Sequence, residues 1–253
     1  MINDTFDNSK PLITPKDAYD SHGIKKIEKK TNTCIVCFFK GLEDEILNKY
    51  EHEVVAFSGT ANGIINVYYL KDLNVLFYMS PVCAPAAVAT LEEIAYITDA
   101  KNFIVFGSCG LLVDAAKDKL IIPIKAYRDE GTSYHYKEAS EFIDIKNCDV
   151  IEKVCIDNNI EYTKGFTWTT DAIYMETKNK INERRDKGCL CVEMEVSALE
   201  AVCDFRGYNL YSYLFSGDIL ADEWDRADLG KEAEHKKQLS SFDVAIMLLK
   251  ELK

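Results

Sequence analysis

The sequence predicts an α/β fold formed by residues 1–253 as one domain. Its 253 residues are enough for a single compact domain with a sizeable core, and its apolar (47%) and charged (28%) fractions are ordinary for a globular protein. Strand-like segments alternate along the chain with segments of helical periodicity, which is typical of this class. No internal repeat or low-complexity linker divides the chain.

Six segments carry the runs of Val, Ile, Phe and Tyr that are typical of strands. They are 33–39, 64–70, 74–80, 102–108, 119–124 and 208–216. Because the runs are continuously apolar, they predict a sheet that is covered on both faces. The first run contains Cys34 and Cys37, which an i, i+3 spacing places on opposite faces of a strand. We interpret this CxxC as buried thiols, and we expect no metal site because the four histidines offer no matching ligand set.

Three segments have the apolar stripe of a helix, namely 85–98, 195–206 and 232–252. Gly207 follows the second of them and is a plausible helix stop. In α/β folds, ligands gather at the carboxyl ends of strands. Candidate site residues are therefore sought where the predicted strands end.

The charge and composition exclude several classes of partner. A net charge of −12 argues against nucleic acid, which needs Lys and Arg to neutralise phosphates. No apolar run approaches the roughly 20 residues of a membrane-spanning helix, and the first residues lack the apolar core of a signal peptide. Nine cysteines without a repeating spacing are typical of reduced thiols. We expect a cytoplasmic protein without membrane or nucleic-acid partners.

The first strand end with chemistry is VFGSCG, residues 105–110. Gly107 and Gly110 let the backbone approach a ligand closely and turn amide groups toward it, and Ser108 adds a hydroxyl. Such a nest favours an anion or a carbonyl oxygen. Taken alone, the segment is better explained as a plain strand-to-loop turn.

Two further strand ends carry carboxylates. Glu193 and Glu195 flank Met194 at the mouth of the second helical segment, where a helix dipole favours a carboxylate that accepts paired sugar hydroxyls. Asp218 follows the strand-like run 208–216 and is placed to protonate a leaving group. Separately, the first pair is explained by helix capping and Asp218 by an ordinary turn.

The order of these pieces is more specific than any one of them. FGSCG, then VEMEVSALEAV, then a strand that ends in SGD resembles the nucleoside phosphorylase superfamily of the purine and uridine phosphorylases. The likeness extends through 122–136 and 163–174 and covers roughly 102–222, but the first hundred residues match poorly. The resemblance implies a three-layer fold with a mixed central sheet flanked by helices.

The resemblance also implies a function, which is cleavage of the N-glycosidic bond of a nucleoside by phosphate, giving base and ribose 1-phosphate. Glu195 would bind the ribose 2′- and 3′-hydroxyls, and Asp218 would protonate N7 of the departing base. The other implied substrate residues are Glu193, Met194, Cys109, Gly110 and Ile173, and the implied phosphate residues are Gly107, Ser108 and Lys40. Segment 171–180 lacks the Gln and Arg of the uridine-specific members, which favours a purine. No cofactor is implied beyond phosphate as co-substrate, and the assembly would be a dimer or hexamer.

Two departures from the family pattern concern phosphate. Val105 stands where the family has an arginine, and Phe38 and Phe39 fill the place of the phosphate loop, leaving Lys40 as a nearby cation and Arg128 as a second candidate. Because a phosphate dianion needs charge-assisted donors, three hypotheses stay open. They are a phosphorylase with a rebuilt phosphate site, as the first choice, a hydrolase that uses water, and a non-catalytic nucleoside-binding protein. The base, the sugar and the oligomer are not determined by the sequence.

Overall fold

Ten strands form one sheet in the computed structural model, which describes residues 5–60, 63–221 and 223–252. The strands are β1 (Thr33–Cys37), β2 (His52–Thr60), β3 (Gly63–Leu70), β4 (Val75–Met79), β5 (Asn102–Leu111), β6 (Leu120–Asp129), β7 (Phe142–Asp144), β8 (Tyr162–Thr170), β9 (Cys189–Glu193) and β10 (Asn209–Ile219). Their order is β10-β6-β8-β9-β5-β1-β4-β3-β2, and β7 pairs with β6. Because β10 also pairs with β5, the strands β5, β9, β8, β6 and β10 close into a ring.

Helices cover both faces of this sheet. They are α1 (Pro15–Ser21), α2 (Lys40–Lys49), α3 (Ala84–Thr98), α4 (Ser133–Tyr136), α5 (Cys148–Asp157), α6 (Lys178–Asp186), α7 (Val196–Arg206) and α8 (Glu232–Glu251). The apolar side chains of α3 and α7 pack on one face, and those of α2, α5 and α8 pack on the other. Parallel pairs such as β1–β5 and antiparallel pairs such as β2–β3 make the sheet mixed. The predicted three-layer α/β fold is confirmed.

The predicted CxxC strand is β1, with both thiols fully buried. Cys34 belongs to the core cluster of α3 and α7, whereas Cys37 belongs to the cluster on the opposite face. Burial raises the pKa of Cys37 to about 12, so this thiol is inert near neutral pH. The pair has the structural role that its spacing predicts.

Two strands run further than the sequence predicts. β5 continues to Leu111 and β10 to Ile219, so the Gly107–Gly110 segment and Asp218 lie within strands rather than after them. The reason is parallel pairing between these strands as far as Ile219 and Leu111, with an irregularity between Ser216 and Asp218. The expected anion nest is therefore wrong: the segment is extended backbone, paired along one edge.

The other edge of β5 has a gap in its pairing that positions the site. β1 pairs with β5 only as far as Val105, and β9 begins to pair with it at Gly110. Between these two residues, no described strand pairs with this edge of β5. Backbone and side chains of the strand are thus open to a ligand at this place.

Within the described ranges, no helix has both the length and the apolar composition required to cross a bilayer.

Candidate active site

A cavity of about 240 Å³ opens beside the unpaired edge of β5. Its wall includes nearly all residues that the sequence proposed for the site, and Lys40 does not belong to it. The proposed residues that line it are Gly107, Ser108, Cys109, Gly110, Ile173, Glu193, Met194, Glu195 and Asp218. The fold therefore brings the three separate strand ends together in one cavity.

Glu193 is held by four hydrogen bonds at the end of β9. Its carboxylate accepts from the hydroxyls of Thr167 (3.1 Å) and Thr169 (2.6 Å), and from the amides of Glu195 and Val196 (2.7 Å each). Burial raises the pKa of Glu193, and these donors oppose that rise. The two amides begin α7, so Glu193 anchors the start of this helix, and its part in the cavity wall is to position Glu195.

Glu195 precedes α7 and is 9% exposed. Its Oε1 accepts a 2.6 Å hydrogen bond from the amide of Cys83, whose φ is +82° at the start of α3. Burial, together with the charge of Glu193, raises the pKa of Glu195 to about 8. A carboxyl group held by backbone at the cavity wall suits the implied contact with paired sugar hydroxyls.

Asp218 lies on β10 beside Gly110 of β5. Its Oδ2 accepts a 2.8 Å hydrogen bond from the indole of Trp224. A Cβ on Gly110 would lie 3.1 Å from Asp218 Oδ1 and 2.3 Å from Leu220 Cδ1. Glycine at position 110 therefore makes the room in which the Asp218 carboxyl group lies against β5.

Glu176 is a site residue that the sequence did not predict. It follows a short 3₁₀ helix, Ile173–Met175, and lines the cavity together with Ile173. Burial, with a smaller contribution from the charge of Asp218, raises the pKa of Glu176 to about 7. Segment 171–180 lacks the Gln and Arg of the uridine-specific pattern, and Glu176 within it is the sequence signal for this site residue.

The two cations proposed to replace the family arginines lie outside the cavity wall. Lys40 begins α2, its side chain is 63% exposed, and its Nζ contacts Glu43 (2.7 Å) and Asp44 (2.8 Å). Lys40 as a phosphate residue is thus a correction, because a helix start with acids at i+3 and i+4 holds its ammonium at the surface. Arg128 is buried among hydroxyl and carbonyl acceptors such as Ser133 Oγ (2.8 Å).

The cavity wall therefore carries acidic groups and, among the described residues, no basic ones. Its titratable carboxyl groups are those of Glu176, Glu193, Glu195 and Asp218, and no Lys, Arg or His of the described chain lines it. Phe38, Phe39 and Val105, at the places where the family pattern has its phosphate loop and arginine, line it instead. Among the described residues, no cluster of three or more His, Cys, Asp or Glu side chains is arranged to hold a metal ion.

Residues 32–250 match the model of the Phosphorylase superfamily. The chain belongs to this superfamily. A relative, a guanosine phosphorylase of Halorubrum lacusprofundi, is 26% identical over 178 residues, which are 68% of this chain and 73% of the relative. The recognised family and the α/β fold are therefore both confirmed.

Two solved structures of the superfamily fold are similar to this chain. Purine nucleoside phosphorylase from Toxoplasma gondii, in complex with immucillin-H, has a TM-score of 0.71 at 16% identity. The superposition covers 90% of this chain and 98% of the Toxoplasma gondii chain. AMP nucleosidase from Bacteroides thetaiotaomicron has a TM-score of 0.68 at 17% identity, with 88% and 90% covered. These similarities show the fold, which is shared by proteins named as phosphorylases and as nucleosidases.

The raised pKa of Glu195 predicts a loss of stability as the pH rises. The unfolded chain releases this proton near pH 4.5, whereas the folded protein holds it until about pH 8. Between these values the folded state binds more protons, so raising the pH lowers the free energy of unfolding. Glu195→Gln removes this pH dependence. We expect the free energy of unfolding of the variant to exceed that of the wild type by about 1–3 kcal/mol at pH 8–9 but by little at pH 5. Denaturant unfolding at both pH values measures it, and an equal difference at both would contradict the prediction.

Proposed function

We propose that this protein hydrolyses the N-glycosidic bond of purine ribonucleosides, with water in place of phosphate as the nucleophile. The observation that carries the proposal is the cavity wall, which has four carboxyl groups and no cation among the described residues. Each charge-assisted hydrogen bond to a phosphate dianion contributes about 1.5–3 kcal/mol net, and such donors are what the wall lacks. Those of the four groups that are ionised also repel phosphate in a partly dry cavity.

The same wall suits a cation-like transition state. As the bond from C1′ to the base breaks, positive charge develops on the ribose, and the oxygens of a fixed carboxyl group such as that of Glu195 stabilise it, most strongly in the fraction of molecules in which the group has lost its proton. Water forms the new bond to C1′, and Asp218 supplies the proton that the departing base needs. The attacking water gives one proton to an ionised carboxyl group of the cavity wall, so the products are ribose and the neutral base.

Glu176 and Asp218 give the base end of the cavity two carboxyl groups. The pKa of Glu176 near 7 means that this group is present both as donor and as acceptor at neutral pH. A purine offers ring nitrogens and exocyclic groups to such a pair. The acidic wall also favours nucleosides over their 5′-phosphates, because a phosphate ester brings like charge into the cavity.

Phosphorolysis is the second candidate, because the relative from Halorubrum lacusprofundi is named as a phosphorylase and Ser108 lines the cavity as the family pattern implies. It requires a cation that the described cavity wall does not contain. Non-catalytic binding is the third candidate and predicts binding without turnover.

Product analysis over a phosphate titration separates these candidates. Inosine, guanosine, adenosine and uridine are incubated with enzyme at phosphate concentrations from none to the order of tens of millimolar. We expect free ribose to form from purine nucleosides at a rate that does not depend on phosphate. Ribose 1-phosphate that rises with phosphate would overturn hydrolysis in favour of phosphorolysis, and nucleoside binding without any product would leave only the non-catalytic protein.

Substitution of Asp218 tests the leaving-group step. Asp218→Asn keeps the size of the side chain but cannot donate an acidic proton, so we expect cleavage of inosine to fall by about 10²–10⁴-fold. A nucleoside of an N7-methylated purine is already cationic in its base and should be nearly unaffected. Initial rates on both substrates measure the difference, and equal losses would assign Asp218 to packing or binding instead.

A further inference from the structure

The indole of Trp224 donates to Asp218 Oδ2 at 2.8 Å, and this is the hydrogen bond that the described residues provide to the Asp218 side chain. We infer that Trp224 is a positioning residue, which fixes the oxygen of Asp218 from which the departing base receives its proton. The inference rests on the proposed function, since it concerns the acid of that reaction. Trp224 lies outside every motif that the sequence pattern singled out.

The chain segment after β10 places Trp224 next to the acid. Backbone groups of Ile219 and Asp225 exchange two hydrogen bonds, of 2.8 and 2.9 Å, so the segment turns back on the strand end. The amide of Asp228 adds a 3.2 Å bond to the carbonyl of Gly217. Trp224, adjacent to Asp225, is thereby held at Asp218 although the residue is 63% exposed. An exposed indole that is held in this way is not explained by burial of its apolar surface.

The direction of this hydrogen bond determines where the acid proton lies. An indole N–H donates and never accepts, so Asp218 Oδ2 must be an acceptor. A protonated Asp218 therefore carries its proton on Oδ1, the oxygen on the side of Gly110, which is itself a residue of the cavity wall. After the proton has moved to the base, the same indole N–H stabilises the carboxylate that is left.

The surroundings of Asp218 make the indole N–H of Trp224 important, because the described residues provide the Asp218 side chain with no other hydrogen-bond donor. No ion pair joins Asp218 to a Lys, Arg or His within the part of the chain that is described, and the charge of Asp218 is, after burial, a second cause of the raised pKa of Glu176. Without Trp224, neither oxygen of Asp218 would be distinguished by a donor. The proton would then be shared between Oδ1, on the side of Gly110, and Oδ2.

Two substitutions of Trp224 separate the N–H group from the ring. Trp224→Phe keeps an aromatic ring and loses the donor, whereas Trp224→Gln loses the ring and keeps an N–H at similar reach. We expect Trp224→Phe to lower kcat on inosine by about 10- to 100-fold, as loss of one hydrogen bond to a charged group implies, with KM nearly unchanged. Trp224→Gln should retain most of the activity. Neither variant should lose activity on an N7-methylated purine nucleoside, which needs no proton.

The opposite ranking, with Phe active and Gln inactive, would overturn the inference and make the ring itself the functional group. Equal losses on both substrates in both variants would also overturn it, because the segment would then only support the fold. A wild-type protein that cleaves no nucleoside would overturn the proposed function as well. Retained activity of Trp224→Phe would overturn the positioning role alone.

A spectroscopic measurement tests the contact independently of turnover. The chain has two tryptophans, and Trp168 is buried with its indole donating to Asp129. In ¹⁵N-labelled protein, the indole N–H signal that disappears in Trp224→Phe belongs to Trp224. We expect Asp218→Ala to shift this signal and to leave the signal of Trp168 in place. An unmoved Trp224 signal would show that the contact is not formed in solution and would overturn the inference.

Discussion

The site depends on one buried carboxylate, that of Glu193. It gathers hydroxyls from β8 and the first amides of α7 at the end of β9, and so it joins two strands to a helix start. Met194 and Glu195, which face the cavity, are the next two residues and take their positions from this junction. A buried carboxylate without such donors is strongly unfavourable, so the threonine hydroxyls and the amides are as necessary as the acid.

The electrostatics of the cavity follow from the same arrangement. Glu195 is buried beside Glu193. Burial is the larger cause of its pKa of about 8, and the charge of Glu193 is the second. A wall of carboxyl groups without a cation is a poor site for a free anion and a good one for a sugar that becomes positively charged. The superfamily fold is shared by proteins named as phosphorylases and as a nucleosidase, so the fold leaves this choice to the side chains.

The sequence predicted the layers and most of the site because apolar strands and the spacing of VEME to SGD are local patterns. It missed β2, whose exposed and buried residues alternate, and β9, whose sequence CLCVE has one Val and no Ile, Phe or Tyr. Glu176 was missed because it approaches Asp218 only in the folded chain, and Trp224 was missed because its contact with Asp218 depends on the backbone pair between Ile219 and Asp225. The prediction for Lys40 differs from the structure because its ammonium pairs with two acids one turn along its own helix and does not reach the cavity.

The central claim, that this cavity binds a nucleoside but not phosphate, is tested most directly by calorimetry on Asp218→Asn, which slows turnover during the titration. We predict binding of inosine, no measurable binding of inorganic phosphate up to the order of tens of millimolar, and the same affinity for inosine with and without phosphate. Phosphate binding at millimolar concentration or below, on the order of a functional co-substrate site, or inosine affinity that rises with phosphate, would contradict it.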